Sequence, residues 1–175
     1  MTPLSYALLG LIELGPRSGY ALRKVFETTP IGNYSSSPGS IYPALNSLEK
    51  LGMVEARRAP DARGKGLYHL TAKGEATLHG WLAAPIGDLG EAMLRFAFLA
   101  EDDPEAVLEF LNCFEAAAET QAAGLQAFLS GENAKFMSVK SQLAVEHGRR
   151  QLEASAEWAR AARQQYCQEP RGENL

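Results

Sequence analysis

The stretch SSSPGSIYPALNSLEKLG, residues 35–52, predicts a short helix with a polar start and a glycine stop. Ser37 is a typical N-cap and Pro38 suits a first helical turn, while Gly52 suits the left-handed residue just past a helix end. Bare amides and hydroxyls at a helix start form a phosphate-binding arrangement. We therefore interpret this stretch as a DNA recognition helix. Its apolar face has the i, i+4, i+7 spacing of a helix packed on a core: Ile41, Leu45 and Leu48.

The first residue of this helix is open at the level of sequence. A start at Pro38 makes Pro43 awkward, because proline removes the backbone hydrogen bond that position 43 would donate to Gly39. A start nearer Ser40 places Pro43 in the first turn, where a missing N–H is harmless. The choice decides which amides face a phosphate.

The elements around this helix follow a recognisable order. Two helices precede it, and after Gly52 the apolar periodicity changes to two short strands joined by a turn with two cations and two glycines. Strands joined by such a turn form a hairpin. Three helices followed by a hairpin predict a winged helix-turn-helix, with the turn as the wing. The predicted elements are helices 3–14, 19–28 and 72–84, strands 53–57 and 67–70, and the wing 60–66.

The second half of the chain shows helical patterns and no strand signal. A composition break at residues 84–88 places the domain boundary, so we expect a DNA-binding domain over 1–85 and a helical dimerisation domain over 86–175. The predicted fold class is mainly α with a small β-hairpin. Two helices of this length need each other and a second copy of the chain to bury their apolar seams. The predicted helices are 89–99, 104–129 and 134–166.

The charge is distributed unevenly between these halves. Nine basic and six acidic side chains give residues 1–85 a formal charge of +3, whereas eight basic and fifteen acidic side chains give residues 86–175 a charge of −7. The overall charge of −4 would argue against a nucleic-acid partner. Because affinity depends on the local field, the asymmetry removes most of that objection.

Several classes of function lack a supporting pattern. Cys113 and Cys167 are too far apart in sequence for a metal knuckle, and we expect free thiols in a reducing cytoplasm. His69, His79 and His147 share no metal-ligand spacing. We find no catalytic constellation, no phosphate loop, no export signal and no membrane segment. We therefore expect no enzyme, catalytic residue, metal or cofactor.

Three pieces of the chain resemble the PadR family of bacterial transcriptional regulators. They are LLGLIELGPRSGYALRKVF, SPGSIYPALNSLEKLGMVE and RGKGLYHLTAKGEATLHGWL, and their order agrees across residues 4–82. Residues 88–166 resemble the helical domain of the virulence-activator-type branch, through LRFAFLAEDDPE and a late tryptophan. The resemblance implies a homodimer that binds palindromic double-stranded DNA operators, often as a repressor. The chain departs from the pattern at Tyr34, where many relatives carry tryptophan, and in a wing with only Arg63 and Lys65 near its tip.

The predicted recognition helix offers two kinds of contact. Its first amides, at Ser37 and Gly39, and the hydroxyls of Ser36 and Ser40 are suited to phosphate oxygens, which position a protein without identifying sequence. Further along, Tyr42 and Asn46 project towards base edges in the major groove, and Pro43 is a DNA-binding candidate on the same face. The alternative for Tyr42 is that it only packs on the neighbouring helix.

Two flanking segments are candidates for backbone contacts. Ser18, Gly19 and Tyr20 begin the preceding helix, where a phosphate fits; the alternative is a half-buried tyrosine. Arg63 and Lys65 are predicted to reach the sugar-phosphate backbone or the minor groove. The alternative for the wing is a solvated turn.

Three aromatic residues are candidates for an effector pocket. Trp81, Phe96 and Trp158 would line an apolar pocket for a small apolar or aromatic ligand, or they are ordinary core aromatics, since pockets and cores draw on the same residue types. The sequence thus predicts a dimeric DNA-binding regulator that blocks or alters polymerase access. The rival hypothesis is a winged-helix protein-interaction module that does not bind DNA.

Overall fold

The computed structural model describes residues 1–15, 17–29, 38–57, 66–100 and 103–168. Helices dominate these residues, and a small antiparallel sheet accompanies them, so the predicted fold class is confirmed. The chain divides into two compact units. The N-terminal unit comprises Met1–Pro85 and Met93–Phe98, and the C-terminal unit comprises Ile86–Ala92 and Leu99–Leu175.

The N-terminal unit has the element order of a winged helix-turn-helix. The predicted hairpin is confirmed, with β2 and β3 antiparallel and Val54 opposite Leu70. A third strand, β1, pairs with β3 and gives the sheet order β1-β3-β2. It was not predicted, because two residues carry no periodicity. The elements are α1 (Pro3–Glu13), β1 (Arg17–Ser18), α2 (Gly19–Thr28), α3 (Ile41–Lys50), β2 (Val54–Arg57), β3 (Leu67–Leu70) and α4 (Ala72–Leu82).

The start of α3 corrects the predicted range 38–51. Pro38–Ser40 form one 3-10 turn, and the α-helix begins at Ile41. Pro43 is consequently the third helical residue, where its missing N–H breaks no helical hydrogen bond. The cap position belongs to Ser40, whose side chain makes no capping bond, and the predicted cap Ser37 lies outside the described residues. At the other end the predicted stop is confirmed, since Gly52 has φ of +69°.

The core of the N-terminal unit is built from aliphatic side chains of every helix and of the sheet. The predicted stripe of α3 is buried, and α1 contributes Leu8, which is 0% exposed. Each such burial stabilises the fold by about 1.5–3 kcal/mol before the loss of conformational entropy. The fully buried aliphatic members include Leu8, Leu9, Leu22, Ile41, Leu45, Leu48, Val54, Leu78 and Leu94.

Residues 93–98 are fastened to this unit by one charged and one aromatic side chain. The buried guanidinium of Arg95 donates to the carbonyl oxygens of Ala84, at 2.5 Å, and Pro85, and it lies 5.7 Å from the ring centroid of Trp81. Phe98 packs on Gly10 so closely that a β-carbon there would meet the ring at 2.5 Å. The helix α5 (Leu89–Phe96) therefore ends inside the N-terminal unit.

The C-terminal unit consists mainly of α6 (Pro104–Ser130) and α7 (Val139–Gln168). The predicted start of α6 is confirmed, because the Asp103 carboxylate accepts from the amide of Ala106 at 3.0 Å. The second helix begins five residues later than the predicted residue 134, since Glu132–Phe136 form a 3-10 helix. At about 1.5 Å per residue, α6 is about 40 Å long and α7 about 45 Å long.

The side of α7 that the sequence predicts to be buried is largely exposed, although Trp158 at its far end meets Phe114 of α6 edge-on at 5.5 Å. The prediction comprises Phe136, Val139, Leu143, His147, Arg150, Ala154 and Trp158. Its members from Val139 to Trp158 are all exposed, and Phe136 just before the helix is 88% exposed. The residues of α7 that are buried are Ala156 and Ala159, because their small side chains let the two helix backbones approach closely. We call the exposed residues the α7 outer stripe: Val139, Leu143, His147, Arg150, Ala154 and Trp158.

Arginines of α7 bind acidic residues of α6 beside those alanines. Arg160 contacts Glu115 at 2.6 Å and Glu119 at 2.8 Å, and Arg163 contacts Glu115 at 2.9 Å. The hydrogen bond from Arg160, together with the charges of Arg160 and Arg163, lowers the pKa of the Glu115 carboxyl. Ion pairs thus supply part of the α6–α7 contact that apolar residues supply in the N-terminal unit.

Candidate nucleic-acid interface

The outward side of α3 is the face of the predicted DNA contacts. Tyr42, Pro43 and Asn46 are exposed, opposite the buried apolar stripe of the same helix. We call these three residues the α3 polar face. Just before the helix, Gly39 is exposed and Ser40 is half-buried. The structure thus places five of the predicted site residues along one helix and the turn that leads into it.

Tyr42 combines packing with exposure. Its ring lies against the first residue of α2, where a β-carbon added to Gly19 would be 2.8 Å from Tyr42 Cε1. The side chain is nevertheless 44% exposed. The contact with the neighbouring helix, which was the alternative interpretation, therefore leaves part of the ring accessible, and a groove contact for Tyr42 stays a prediction.

The start of α2 lies beside this face. The Ser18 hydroxyl accepts from the amide of Ala21 at 3.1 Å, so Ser18 is the N-cap of α2, as predicted. Gly19 is buried, whereas Tyr20 is 52% exposed, with the Arg23 guanidinium 5.9 Å from its ring centroid. Phosphate contacts by these three residues stay a prediction.

The phenol of Tyr68 lies close enough to Tyr42 for the two groups to interact electrostatically. Tyr68 on β3 is half-buried, and burial is the main cause that raises the pKa of its phenol. The Glu49 carboxylate and the Tyr42 phenol raise that pKa further. The phenol of Tyr68 therefore stays protonated, and neutral, well above neutral pH.

Four predicted site residues lie outside the described part of the chain. They are Ser36 and Ser37, ahead of α3, and Arg63 and Lys65, in the predicted wing. Their roles stay predictions from the sequence.

Sequence reasoning missed the contacts that fasten the C-terminal end of α3. Lys73 Nζ donates to the carbonyl oxygen of Leu51 at 2.8 Å, and the Thr71 hydroxyl donates to the carbonyl oxygen of Gly52 at 2.7 Å. A cation at a helix C-terminus is favourable because it faces the negative end of the helix dipole. These partners are about twenty residues apart in sequence, so no local pattern identifies them.

The three aromatic candidates for an effector pocket each have ring or side-chain contacts of their own. Trp81 is buried and stacks on Tyr6 with centroids 4.5 Å apart. Phe96 is half-buried in the same unit, and Trp158, in the C-terminal unit, meets Phe114 edge-on at 5.5 Å. An effector pocket stays a prediction.

Two other kinds of site are absent from the described residues. No group of three or more His, Cys, Asp or Glu side chains there is placed to hold a metal ion. None of the helices in the described ranges has the length and apolar content needed to cross a membrane.

Two protein-family models match the chain. Residues 8–80 match the transcriptional regulator PadR-like family, and residues 90–166 match the virulence activator alpha C-terminal family. Over residues 8–80, the chain is thus similar to the PadR-like family of transcriptional regulators. Both matched families are named for regulators of transcription or virulence, not for enzymes, and the α3 polar face lies inside the PadR-like match.

Two characterised relatives show the same likeness. The negative transcriptional regulator PadR of Bacillus subtilis is 34% identical over 106 residues, which is 57% of this chain and 58% of that protein. The transcriptional regulator YqjI of Escherichia coli is 34% identical over 71 residues, or 41% of this chain and 33% of that protein. The chain thus matches between about a third and somewhat over half of the length of these PadR-like relatives.

Solved structures align over nearly the whole chain at lower identity. Bacillus subtilis PadR in complex with operator DNA is 22% identical, covers 93% of this chain and 98% of that chain, and has a TM-score of 0.42. The Vibrio cholerae virulence activator AphA is 18% identical, covers 94% of both chains, and has a TM-score of 0.43. Superpositions at this level assign no role to a residue of this chain.

Proposed function

We propose that this PadR-like chain is a sequence-specific DNA-binding transcriptional regulator that acts as a dimeric repressor on a palindromic operator. The observation that carries the proposal is the α3 polar face. It presents an exposed tyrosine, proline and asparagine on a helix whose other side is buried in the core. The family match and the name of the B. subtilis relative, a negative transcriptional regulator, support it. Such a regulator acts in the cytoplasm, where bacterial chromosomal DNA lies.

The α3 polar face is the part of the proposal that identifies sequence. Tyr42 and Asn46 contact base edges, because a helix in the major groove presents its early exposed residues to them. Ser18, Gly19, Tyr20 and the residues before α3 bind phosphate oxygens, and Arg63 and Lys65 bind the backbone beside the groove. The domain over 1–85 makes these contacts.

The helical domain over 86–175 joins two copies. The support is the α7 outer stripe, because an isolated helix pair has no reason to expose Val139, Leu143 and the neighbouring Phe136 to water. Burial against the same stripe of a second chain would remove this apolar surface from water. A dimer also explains operator symmetry, since two recognition helices then occupy two half-sites.

The proposal includes an effector that controls DNA binding. A small apolar or aromatic molecule would release the operator if it bound more tightly to a dimer with a different separation of its two recognition helices. Trp81, Phe96 and Trp158 are the residues that we expect at its site. The partly exposed ring of Trp158 favours it over the other two as a ligand contact.

Replacement of Tyr42 tests the proposed base contact. We expect Tyr42→Ala to weaken binding to a duplex selected by the unaltered chain by about tenfold, because one lost base contact costs about 1–3 kcal/mol. Binding to unrelated duplex should change little. Tyr166→Ala, which removes the same side chain from the far end of α7, is the matched control, and binding is measured by fluorescence anisotropy.

The rival function, a winged-helix module that binds only proteins, makes the opposite prediction. It requires that no duplex binds in a salt-dependent way. The similarity of residues 8–80 to a family of transcriptional regulators speaks against it. Equal affinities of Tyr42→Ala and the unaltered chain for the selected duplex would remove the base contact from the proposal.

A further inference from the structure

Gly19 occupies a position that does not need glycine for backbone reasons. It is the first residue of α2, directly after the N-cap Ser18. Its φ is not in the left-handed region, which among the described glycines is reached by Gly15 and Gly52. A residue with a β-carbon adopts ordinary helical geometry without strain, and alanine has the higher helix propensity. The reason for glycine must therefore lie in what surrounds it.

The surroundings are the side chain of Tyr42 and the core residue beneath it. A β-carbon on Gly19 would lie 2.8 Å from Tyr42 Cε1, 3.4 Å from Tyr42 Cδ1 and 3.6 Å from Leu45 Cδ1. The first distance is shorter than van der Waals contact permits, so one group has to move. Leu45 is fully buried, whereas Tyr42 is 44% exposed. The Tyr42 ring is therefore the group that can move.

We propose that Gly19 is a positioning residue for the base-contacting Tyr42, which rests its ring on the bare α-carbon of Gly19. This contact holds the phenol in one orientation before DNA binds. The inference rests on the proposed function only for its consequence in DNA binding, because the contact itself belongs to the free protein. It assigns Gly19 a role in sequence recognition that is separate from the phosphate contact proposed for its backbone amide.

Pre-positioning has a measurable consequence for affinity. A tyrosine that is fixed before binding loses less side-chain freedom when it enters the groove, and this saving is equivalent to about twofold to tenfold in affinity. The proximity of the Tyr42 phenol to Tyr68, which affects the pKa of Tyr68, agrees with a ring held against the protein surface. A ring displaced by a β-carbon would lose the saving and would meet the bases from a different angle.

A double-mutant cycle tests whether Gly19 acts through Tyr42. The probe is a duplex selected from a random pool by the unaltered chain, and the variants are Gly19→Ala, Tyr42→Ala and the pair together. We expect Gly19→Ala to weaken binding by about twofold to tenfold, and to have no further effect when Tyr42 is already alanine. An equal loss in both backgrounds, or no loss at all, would overturn the inference. Gly80→Ala is the matched control, because a β-carbon at Gly80 meets nothing within 4 Å.

A measurement without DNA separates this inference from the proposed function. Ring resonances of Tyr42, identified by labelled tyrosine and by their absence in Tyr42→Ala, should shift in Gly19→Ala and stay unmoved in Gly80→Ala. Unmoved Tyr42 resonances in Gly19→Ala would refute the contact. If the unaltered chain selects no duplex, the proposed function fails and the resonances alone decide about Gly19. If Gly19→Ala does not fold, the inference requires that the added Tyr42→Ala restores folding, because it removes the clashing ring.

Discussion

The two units of this chain are stabilised in different ways. In the N-terminal unit, all four helices that precede residue 85, together with the sheet, contribute large aliphatic side chains to one closed core. In the C-terminal unit, α7 is thirty residues long, yet the described side chains that it buries completely are those of Ala156 and Ala159. The first unit is thus complete within one chain, whereas the second leaves an apolar stripe in water.

Charged residues follow the same division. Between α6 and α7, Arg160 and Arg163 bind Glu115 and Glu119, and within α7 Arg149 and Arg150 bind Glu146. The α3 polar face has no acidic member. A surface with an apolar stripe suits a second copy of itself. The comparison therefore agrees with the proposal that DNA contacts belong to the first unit and dimerisation to the second.

The largest expected effect tests the closed core. Leu8→Ala should lower the free energy of unfolding of the N-terminal unit by about 2–5 kcal/mol, since it removes buried methyl groups and leaves a cavity. Leu14→Ala is the control, because Leu14 lies at the end of the same helix with 69% of its side chain exposed. Urea unfolding followed by circular dichroism measures both. A loss at Leu8 no larger than that at Leu14 would contradict the closed core.

The next effect concerns the α7 outer stripe. Leu143→Glu should shift the dimer towards monomer by at least about tenfold in dissociation constant, because a charge at an apolar contact loses burial and is left unpaired. Gln151→Glu adds the same charge at an exposed polar position of the same helix and should have little effect. Light scattering across micromolar concentrations measures the mass. A monomeric unaltered chain in that range would refute the dimerisation arm.

The wing is expected to contribute less than α3 and to act without sequence preference. Arg63→Ala combined with Lys65→Ala should reduce the slope of log affinity against log salt by up to about two, because each cation that contacts a phosphate releases about one counterion. Affinities for selected and unrelated duplexes should fall together. The same slope in the variant and the unaltered chain would show that the wing does not contact the backbone.

The smallest effect concerns the ion pairs of α7. The hydrogen bonds from Arg149 and Arg150 lower the pKa of the Glu146 carboxyl to about 2, below its usual 4.5. A carboxyl whose pKa is lower in the folded than in the unfolded state stabilises the fold at pH values above its unfolded pKa. This contribution is lost as the pH falls towards 2. The melting temperature of the C-terminal unit should therefore fall between about pH 5 and pH 2, and it should fall less steeply in Glu146→Gln. An identical decline in both proteins would show that Glu146 contributes nothing.

The sequence predicted most of the N-terminal unit because its elements carry local signals. Capping by Ser18 and Asp103, the glycine stop at Gly52 and the apolar stripe of α3 are all determined by neighbours in the chain. The strand β1 was missed because a strand of two residues exists only through its partner. The first residue of α3 could be identified only from the backbone conformation, since both Pro38 and Ser40 satisfy the rules for a first turn.

The sequence could not assign the faces of α7, for a physical reason. Its largest apolar residues repeat at helical spacing and therefore predict a buried side, which we expected to pack on α6 and on a second copy of the chain. Alanines on another side allow the closer approach of α6, and the arginines beside them add ion pairs. Helical periodicity shows that a stripe will be buried, but it does not distinguish burial within one chain from burial between two. The contact of Gly19 with Tyr42 was hidden likewise, because it joins two helices and its two residues are more than twenty positions apart in the sequence.

Selection of bound fragments from a pool of random duplex DNA by the full chain tests the central claim most directly. The account predicts one enriched sequence with inverted symmetry, whose half-sites are separated by one or two turns of about 10.5 base pairs, and whose affinity falls steeply with salt. The inverted symmetry would report the dimer, and the sequence preference would report the α3 polar face. A pool that stays random, with no salt-dependent binding to any duplex, would contradict the account.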